Sequence, residues 1–357
     1  MVVKKWKVIG LMSGTSLDGL DIVCAEIYFD GSQYDFNILE AETISYTIAW
    51  EQNLRNSFSS SKEAIENLDI LYGKYLGELV NNFVEKHQIS EIDFIASHGH
   101  TIFHKPNEGY TLQIGDGKTL QHKTGLNVVC DFRTQDVELG GQGAPLVPIG
   151  DQLLFSGYTY CLNLGGFANI SFEKNGERIA FDICPVNIVM NHYAKQLGFD
   201  FDKGGEIARS GIIDEVLLKE LNNLPFYSAN IPKSLGFEFV KETIFPIIDE
   251  KNLVVSTILR TFIAHCTHQI SICLNQEENS KLLITGGGAF NEFLIEQLQQ
   301  ITKNEIVIPE KTIVDYKEAL IFALLGVLRV ENKVNCLRSV TGALKNHSSG
   351  KIFKIGG

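Results

Sequence analysis

The sequence has little of what marks membrane-spanning, secreted or nucleic-acid-binding proteins. No apolar run approaches the roughly 18 residues that a membrane-spanning helix needs. The net charge of −12 argues against nucleic acid or an anionic membrane as the main partner, because neutralising phosphates requires clustered Lys and Arg. The seven cysteines are odd in number, scattered and without a CxxC pair, so neither a disulfide framework nor a zinc ribbon is indicated. We therefore expect a soluble, cytoplasmic protein.

The composition indicates a globular chain with more than one domain. The sequence has 357 residues, of which 44% are hydrophobic and only 8 are proline. This length suits two domains of ordinary size. The segment ELGGQGAPLVPIGD is rich in glycine and is the best candidate for either a domain boundary or an active-site loop. We predict one domain over residues 1–148 and a second over 149–330, while the tail 331–357 could pack back on the first.

Hydrophobic patterning indicates that both halves begin in the same way. Strands are predicted at 6–12 and 22–28, and again at 158–164 and 170–173, with a turn rich in glycine or small polar residues inside each pair. Long helices are predicted from residue 68, at 253–274 and at 316–330. Two α/β domains that face each other across a cleft would place both turns at one ligand.

The first turn lies within GLMSGTSLDGLD, residues 10–21, and has the composition of an anion-binding loop. Glycines let backbone amides approach an anion, and the hydroxyls of Ser13, Thr15 and Ser16 add donors. The carboxylates of Asp18 and Asp21 would repel a phosphate unless Mg²⁺, which prefers oxygen ligands, lies between them. The alternative is a hairpin in which these residues serve only the turn geometry.

Other segments carry weaker signals. TGGGAFN at 285–291 joins a strand to a helix and suits either a nucleotide or a plain βα turn. Asp182 is interpreted as the end of an apolar strand in a parallel sheet, where a general base could lie. Arg133 could form a fork to a substrate carboxylate or pair with a neighbouring Asp. His98, with His100 and His104, is expected to contact a hydroxylated substrate rather than a metal ion.

Taken together, these segments resemble the anhydro-N-acetylmuramic acid kinase family, in order and across nearly the whole chain. The most specific matches are GTSLDGLD and GGQGAPLVP, supported by SHGHTIFHKP, LNLGGFANIS, PKSLG and TGGGAFN. The resemblance implies two actin/hexokinase-like (ribonuclease H-like) α/β domains with ATP and Mg²⁺. It also implies phosphorylation of the 6-hydroxyl of 1,6-anhydro-N-acetylmuramic acid while water opens the anhydro ring at C1. A homodimer is implied as well.

The resemblance assigns roles to residues at matching positions. The catalytic residues would be Asp182, as the base that activates water, and Glu318, which assists at the sugar. The sugar or its lactyl carboxylate would contact His98, Arg133 and Gln142. Mg²⁺ would be held through ATP by Asp18 and Asp21. The residues that would contact ATP are Gly14, Thr15, Ser16, Leu17, Asp18, Gly19, Asp21, Asn163, Gly165, Gly166, Gly286, Gly287, Gly288 and Asn291.

One departure from the family pattern follows the predicted base. The family usually reads DTGPGN, whereas this chain has Ile183, Cys184, Pro185, Val186 and Asn187 after Asp182. If the missing glycines have positive φ or approach a ligand, Cys184 and Val186 would reshape the site. Cys184 is either a reactive thiol or an inert apolar residue. The alternatives to the muramic acid kinase are therefore a kinase of another anhydro sugar, or a catalytically weak sensor that binds sugar or nucleotide.

Overall fold

The computed structural model describes residues 3–14, 17–274 and 280–356 and divides the chain into two compact units. Unit 1 comprises Met1–Leu154 and Tyr316–Gly357, and unit 2 comprises Phe155–Asp315. The sequence prediction placed the boundary at 148/149 and put residues 316–330 in the second domain. The structure differs because the apolar side chains of residues 321–328 belong to a core of unit 1.

Strands and helices alternate in a mixed α/β arrangement. The strands are β1 (Lys4–Ser13), β2 (Leu20–Phe29), β3 (Tyr34–Ile44), β4 (Phe94–Lys105), β5 (Tyr110–Ile114), β6 (Asn127–Cys130), β7 (Tyr160–Leu164), β8 (Phe167–Lys174), β9 (Glu177–Pro185), β10 (Lys281–Thr285), β11 (Glu305–Val307) and β12 (Lys351–Phe353). The helices are α1 (Ile48–Asn56), α2 (Lys62–Lys86), α3 (Gly117–Thr124), α4 (Thr134–Glu138), α5 (Pro148–Leu154), α6 (Asn187–Lys195), α7 (Glu206–Ser210), α8 (Glu215–Asn222), α9 (Phe237–Phe239), α10 (Phe245–Asp249), α11 (Val255–Leu274), α12 (Glu292–Ile301), α13 (Lys311–Val330) and α14 (Arg338–Thr341).

The sheet of unit 1 has the strand order β12-β6-β4-β1-β2-β3, and β5 pairs with the far half of β4. Strands β1, β2 and β3 form an antiparallel meander, whereas β4 runs parallel to β1 and β6 runs parallel to β4. The C-terminal strand β12 pairs antiparallel with β6. Helices are needed to connect the parallel strands, and α2 leads from the meander into β4.

The sheet of unit 2 repeats this order on a smaller scale, as β11-β10-β7-β8-β9. Strands β7, β8 and β9 are an antiparallel meander, and β10 and β11 continue the sheet in parallel with β7. The turn predicted between the strands at 158–164 and 170–173, GGFAN at residues 165–169, is shorter in the structure, because residues 167–169 already belong to β8. Only residues 165 and 166 separate the two strands.

Both faces of the unit 1 sheet are covered by apolar side chains, as the strand alternation requires. Ile9 and Leu11 of β1 belong to the cluster that includes α2, and Val8 belongs to the cluster that includes α13. Gly10 lets α13 approach the sheet closely, since a Cβ at this position would lie 2.1 Å from the carbonyl oxygen of Ala319. The sequence signal for a glycine-rich phosphate loop therefore includes one glycine that serves packing.

No helix in the described ranges is long and apolar enough to cross a membrane.

Candidate active site

The first turn, residues 14–19, connects β1 to β2. The amide of Leu17 lies 3.4 Å from the carbonyl oxygen of Gly14, and Leu17 has a φ of 64°, which an L-residue with a bulky side chain rarely adopts. Asp18 is exposed to solvent, and Gly19 is buried. Thr15 and Ser16 lie outside the described residues. A strained backbone beside an exposed carboxylate is typical of a ligand-binding loop.

A network of hydroxyl groups supports the residue just before this turn. Ser13 Oγ lies 2.6 Å from Tyr46 Oη and 2.8 Å from His100 Nδ1, and the hydroxyls of Tyr46 and Tyr72 are 2.6 Å apart. Burial lowers the pKa of His100 to about 4, so the ring is neutral near pH 7. The end of β1 is therefore fixed by side chains from α2, β4 and the β3–α1 loop.

Two predicted carboxylates, Asp21 and Glu318, lie close enough to interact electrostatically. Asp21 is the second residue of β2, and its Oδ1 accepts a hydrogen bond from Thr43 Oγ1 at 2.6 Å. Glu318 lies on α13, which passes over β1 at Gly10. Desolvation by the surrounding protein raises the pKa of Glu318, although the side chain still reaches solvent, and the negative charge of Asp21 adds to this shift.

Arg133 brings two other predicted residues together. Its Nε donates to Nε2 of buried His98 at 3.0 Å, so His98 must be neutral, with its proton on Nδ1. Desolvation is the main cause that holds the pKa of His98 well below its usual range, and the positive charge of Arg133 adds to the effect. Desolvation also lowers the pKa of Arg133 to about 10, an effect that Glu318 opposes. His98, Arg133 and Glu318 thus form one polar group in unit 1.

The guanidinium of Arg133 is available for a carboxylate. Its terminal amino groups make no hydrogen bond to a described residue, and the internal Arg–Asp pair considered from the sequence is absent from that part of the chain. The loop that carries exposed Gln142 lies beside it, because a Cβ on neighbouring Gly143 would lie 3.5 Å from Arg133 Cβ. The Gln142 backbone amide donates to the carbonyl of Thr341 at 2.7 Å.

The three histidines of β4 have separate hydrogen-bond partners. His98 bonds to Arg133 and His100 to Ser13, while His104 Nδ1 lies 3.1 Å from Thr111 Oγ1. Within the described ranges, the three residues are not among the groups of side chains that could share one metal ion.

The second turn, residues 165 and 166, is held mainly by backbone hydrogen bonds. The amides of Val186 and Ile188 donate to the carbonyl of Gly166 at 2.8 and 3.3 Å, and the amide of Asn187 donates to Gly165 at 3.3 Å. Asn187 Nδ2 also donates to the Leu164 carbonyl at 3.0 Å. The start of α6 thus fixes the turn.

The glycine loop after β10 packs directly against this hairpin. Gly286 has a φ of +81°, and a Cβ there would lie 2.5 Å from Asn163 Oδ1. Gly288 is also in close contact with Leu164, whereas a Cβ on Gly287 would make only an ordinary contact at 3.8 Å. The parallel pairing of β10 with β7 therefore places two predicted ATP-binding segments side by side.

Asn291, the last predicted residue of this loop, has a structural partner. Its Oδ1 caps helix α12 by accepting the Leu294 amide at 3.0 Å, and the side chain is buried. The structure thus accounts for Asn291 by helix capping, and contact with a nucleotide remains a prediction.

Asp182 lies on β9, opposite Asn169 of β8. Its Oδ2 accepts the Leu235 amide at 2.8 Å, and its own amide donates to the Lys233 carbonyl at 2.9 Å. Burial raises the pKa of Asp182, and the bond from Leu235 opposes that rise. Because Oδ1 makes no hydrogen bond to a described residue, it could accept a proton.

The interpretation of Asp182 as the end of a strand in a parallel sheet is wrong. Strand β9 continues to Pro185 and runs antiparallel to β8 at the edge of the sheet. The register moves from Asn169–Asp182 to Ala168–Cys184, so Ile183 is the extra residue of a β-bulge. The bulge locally redirects the strand immediately after the predicted base.

The apolar replacements after Asp182 belong to the core of unit 2. Ile183, Cys184 and Val186 are all buried there. Neither Cys184 nor Val186 has a positive φ; Val186 has φ −134° and ψ −96°. The Cys184 side chain is fully buried, and burial raises the pKa of its thiol well above the usual value; both features are typical of an inert apolar cysteine.

The residues that the sequence reasoning missed are those that support the turns. Tyr46 carried no local signal, and Asn187 was noted only as the last residue of the family pattern, because each acts through a partner far away in sequence. The isolated serine of MSG, Ser13, was treated as a phosphate donor, whereas the structure shows that it bonds to Tyr46 and His100.

Comparison with known proteins gives a consistent result. The family model described as anhydro-N-acetylmuramic acid kinase matches residues 6–355. A curated anhydro-N-acetylmuramic acid kinase of Haemophilus influenzae is 34% identical, and the alignment covers 97% of each chain. The enzyme of the same name from Shewanella sp. (strain ANA-3) is 35% identical over 97% of this chain and 98% of its own.

Similar solved structures are more distant. A ROK family glucokinase from Streptomyces griseus, in complex with glucose and AMPPNP, is 11% identical, with a TM-score of 0.41, and the match covers 89% of this chain and 98% of that chain. The predicted fold class, two α/β domains of the actin/hexokinase-like type, is confirmed in each unit by the repeated strand order together with the family match.

Proposed function

The chain belongs to the anhydro-N-acetylmuramic acid kinase family, and from that premise we propose how its residues perform the reaction. The substrate is 1,6-anhydro-N-acetylmuramic acid, and ATP is the phosphoryl donor. Water adds to C1, the C1–O6 bond breaks, and O6 takes the γ-phosphoryl group, which gives N-acetylmuramic acid 6-phosphate and ADP. The observation that carries this assignment is Asp182, a half-buried carboxylate with one oxygen fixed and the other available.

Asp182 acts as the general base in this proposal. Its Oδ1 removes a proton from the water that attacks C1, while the Leu235 amide holds Oδ2 and fixes the orientation of the carboxylate. The pKa of Asp182 is raised by burial, which makes the carboxylate more basic than an exposed aspartate. The oxygen released from C1 is the phosphoryl acceptor, so one base serves both bond changes.

The polar group of unit 1 holds the sugar. The unpaired end of the Arg133 guanidinium forms a two-pronged contact with the lactyl carboxylate, and neutral His98 keeps the arginine in place. Glu318 and Gln142 bond to sugar hydroxyl or amide groups. The close arrangement of His98, Arg133 and Glu318 supports this assignment.

Residues of the two glycine-rich turns and of the 286–288 loop bind ATP in this proposal. Family resemblance supports this assignment, with the turns contacting the phosphate groups of ATP and the loop contacting its adenosine. Asp18, near the end of the first turn, and Asp21, just after it in β2, offer carboxylate oxygens, the kind of donor that fits Mg²⁺. The ion would neutralise phosphate charge during transfer.

A coupled assay of ADP release tests the proposal. Wild-type protein with ATP, Mg²⁺ and 1,6-anhydro-N-acetylmuramic acid is expected to release ADP only when the sugar is present, with the 6-phosphate detected by mass spectrometry. Asp182→Asn serves as the catalytic control. Turnover with a different anhydro sugar instead would reassign the substrate. Binding measured by calorimetry without any product would identify a sensor and refute the kinase assignment.

A cytoplasmic homodimer completes the proposal. Family resemblance supports the dimer. The cytoplasm is proposed because a kinase that uses ATP and a recycled cell-wall sugar finds both inside the cell. Light scattering coupled to gel filtration is expected to give twice the chain mass of 39.8 kDa, and a monomeric mass at micromolar concentration would refute the dimer.

A further inference from the structure

Unit 1 contains a buried group of three side chains that the proposed reaction does not use. Asp136 lies on α4, whereas Cys336 and His347 face each other in an isolated antiparallel bridge near the C-terminus. One oxygen, one sulfur and one nitrogen atom from these residues lie within 4.8 Å of one another, and all three residues are buried. Carboxylate, thiolate and imidazole are the ligands that zinc takes in proteins.

The hydrogen bonding of His347 leaves one ring nitrogen without a partner. Nδ1 lies 3.1 Å from the carbonyl oxygen of Lys345, which can only accept, so Nδ1 carries a proton. In the neutral ring Nε2 is then an acceptor. It is buried, makes no hydrogen bond to a described residue and lies 3.5 Å from Asp136 Oδ1. Two acceptors facing each other in the interior require a positive charge between them.

The distance favours a metal ion over a proton. A charge-assisted hydrogen bond between imidazolium and carboxylate is about 2.7–2.9 Å long, which is clearly shorter than the 3.5 Å found. Nitrogen and oxygen ligands at about 2.0–2.1 Å from a tetrahedral zinc ion lie roughly 3.3–3.4 Å apart. We propose that Asp136 Oδ1, Cys336 Sγ and His347 Nε2 bind one Zn²⁺ ion.

Charge and outer contacts agree with this site. A divalent ion with one carboxylate, one thiolate and one neutral imidazole has no net charge, which suits a buried position. Thr341 Oγ1 donates to Asp136 Oδ1 at 2.8 Å, and the Gly143 amide donates to Oδ2 at 2.7 Å. With the Lys345 carbonyl on Nδ1, each of the nitrogen and oxygen ligands has an outer partner that orients it.

The ion would join two segments that are distant in sequence. Residues 134–143 carry Asp136 and the predicted sugar-binding Gln142, and residues 336–347 carry the other two ligands. Backbone bonds already connect these segments, from Gln142 to Thr341 and from Leu344 to Leu139. The proposed ion would therefore hold the loop of Gln142 to the C-terminal segment.

Cobalt titration of the full-length chain, with any purification tag removed and bound metal stripped by a chelator, tests the site directly. Co²⁺ is expected to bind at one ion per chain, with the near-ultraviolet charge-transfer absorption of a cobalt–thiolate bond, and added Zn²⁺ should abolish that absorption. Absence of the band at saturating Co²⁺ would overturn the proposal, whatever other weak sites bind the ion.

Variants then identify the ligands. Since loss of an outer partner alone costs 10–100-fold in affinity, Cys336→Ser and His347→Gln are each expected to weaken Zn²⁺ binding by about 100-fold or more. Cys24→Ser, which changes another buried thiol of unit 1, is the control and should bind normally. Zn²⁺ should raise the melting midpoint of the wild type and the control only. Unchanged affinity in folded His347→Gln, or no effect of Zn²⁺ on the wild-type midpoint, would refute the site.

Discussion

The two glycine-rich turns are supported in different ways. The first turn follows Ser13, whose hydroxyl bonds to Tyr46 and His100, and its backbone includes Leu17 at positive φ. The second turn is held by amides of residues 186–188 and by close packing of Gly286 on Asn163. A turn held by side chains should be sensitive to the loss of a hydroxyl group, whereas one held by backbone should be sensitive to added volume.

The carboxylates of the two units should differ most in their effect on rate. Asp182→Asn removes the proposed base and is expected to lower kcat by roughly 10²–10⁴-fold. Glu318→Gln keeps a hydrogen-bonding group at the sugar and should cost less, mainly in KM. Measurements of the rate of sugar phosphorylation as a function of sugar concentration, in single-turnover experiments, check the expected loss for each variant.

The pH profile sharpens this comparison. Activity requires ionised Asp182, whose pKa is raised, so kcat/KM should fall as the pH is lowered through that raised value. This fall of kcat/KM at acidic pH should persist in Glu318→Gln, and it should be absent from the residual activity of Asp182→Asn. A larger loss of kcat in Glu318→Gln than in Asp182→Asn would reverse the assignment of the base.

Adding one methyl group at Gly286 should damage unit 2. Gly286→Ala places a Cβ at positive φ and 2.5 Å from Asn163 Oδ1, and we expect the free energy of unfolding to fall by about 3 kcal/mol or more. Urea unfolding measures the change, and calorimetry should show weaker ATP binding. Gly287→Ala, with only an ordinary contact at 3.8 Å, is the matched control for stability and should leave the free energy of unfolding nearly unchanged.

Restoring the glycine of the family at position 186 should reduce stability rather than create activity. Val186→Gly leaves a cavity in the core and frees the backbone, at a cost of about 2–3 kcal/mol in unfolding free energy. The specificity for one anhydro sugar over another should not change, because the valine side chain is buried. A shift in sugar preference, measured as a ratio of kcat/KM values, would show that Val186 shapes the sugar site.

The smallest effect is expected in the first turn. Tyr46→Phe removes the hydroxyl that lies between Ser13 and Tyr72, which should cost about 1 kcal/mol in stability and weaken ATP binding modestly. Tyr75→Phe, on a ring that packs against Tyr46, is the matched control. Equal effects of the two changes would mean that the hydroxyl network does not hold the turn.

The sequence predicted what local patterns encode. The hairpin of β1 and β2 follows from alternating apolar residues with a polar, glycine-rich turn between them, and the family resemblance supplied the order of the motifs. The sequence did not predict that Gly10 serves the packing of α13, because that contact joins positions 10 and 319. The bulge at Ile183 was also hidden, since a bulge depends on the partner strand.

The roles of several site residues could not be predicted for the same reason, because they depend on contacts between segments that are distant in sequence. The bond from Arg133 to His98 joins a loop to β4, and neither segment alone distinguishes a substrate ligand from an internal pair. The sequence did not single out Asp136, yet its carboxylate accepts hydrogen bonds from Thr341 Oγ1 and the Gly143 amide. Long-range partners, rather than residue type, determine these roles.

The way the chain passes between the units has a consequence for its synthesis. Unit 2 is one continuous stretch, whereas unit 1 needs its last 42 residues, which bring α13 to one face of the sheet and β12 to the edge of β6. As the chain leaves the ribosome, unit 2 can therefore fold first, although unit 1 begins first. Until residues 316–357 have been synthesised, the nascent sheet of unit 1 has an uncovered apolar face and an open edge. Chaperones bind such exposed surfaces, and aggregation begins from them.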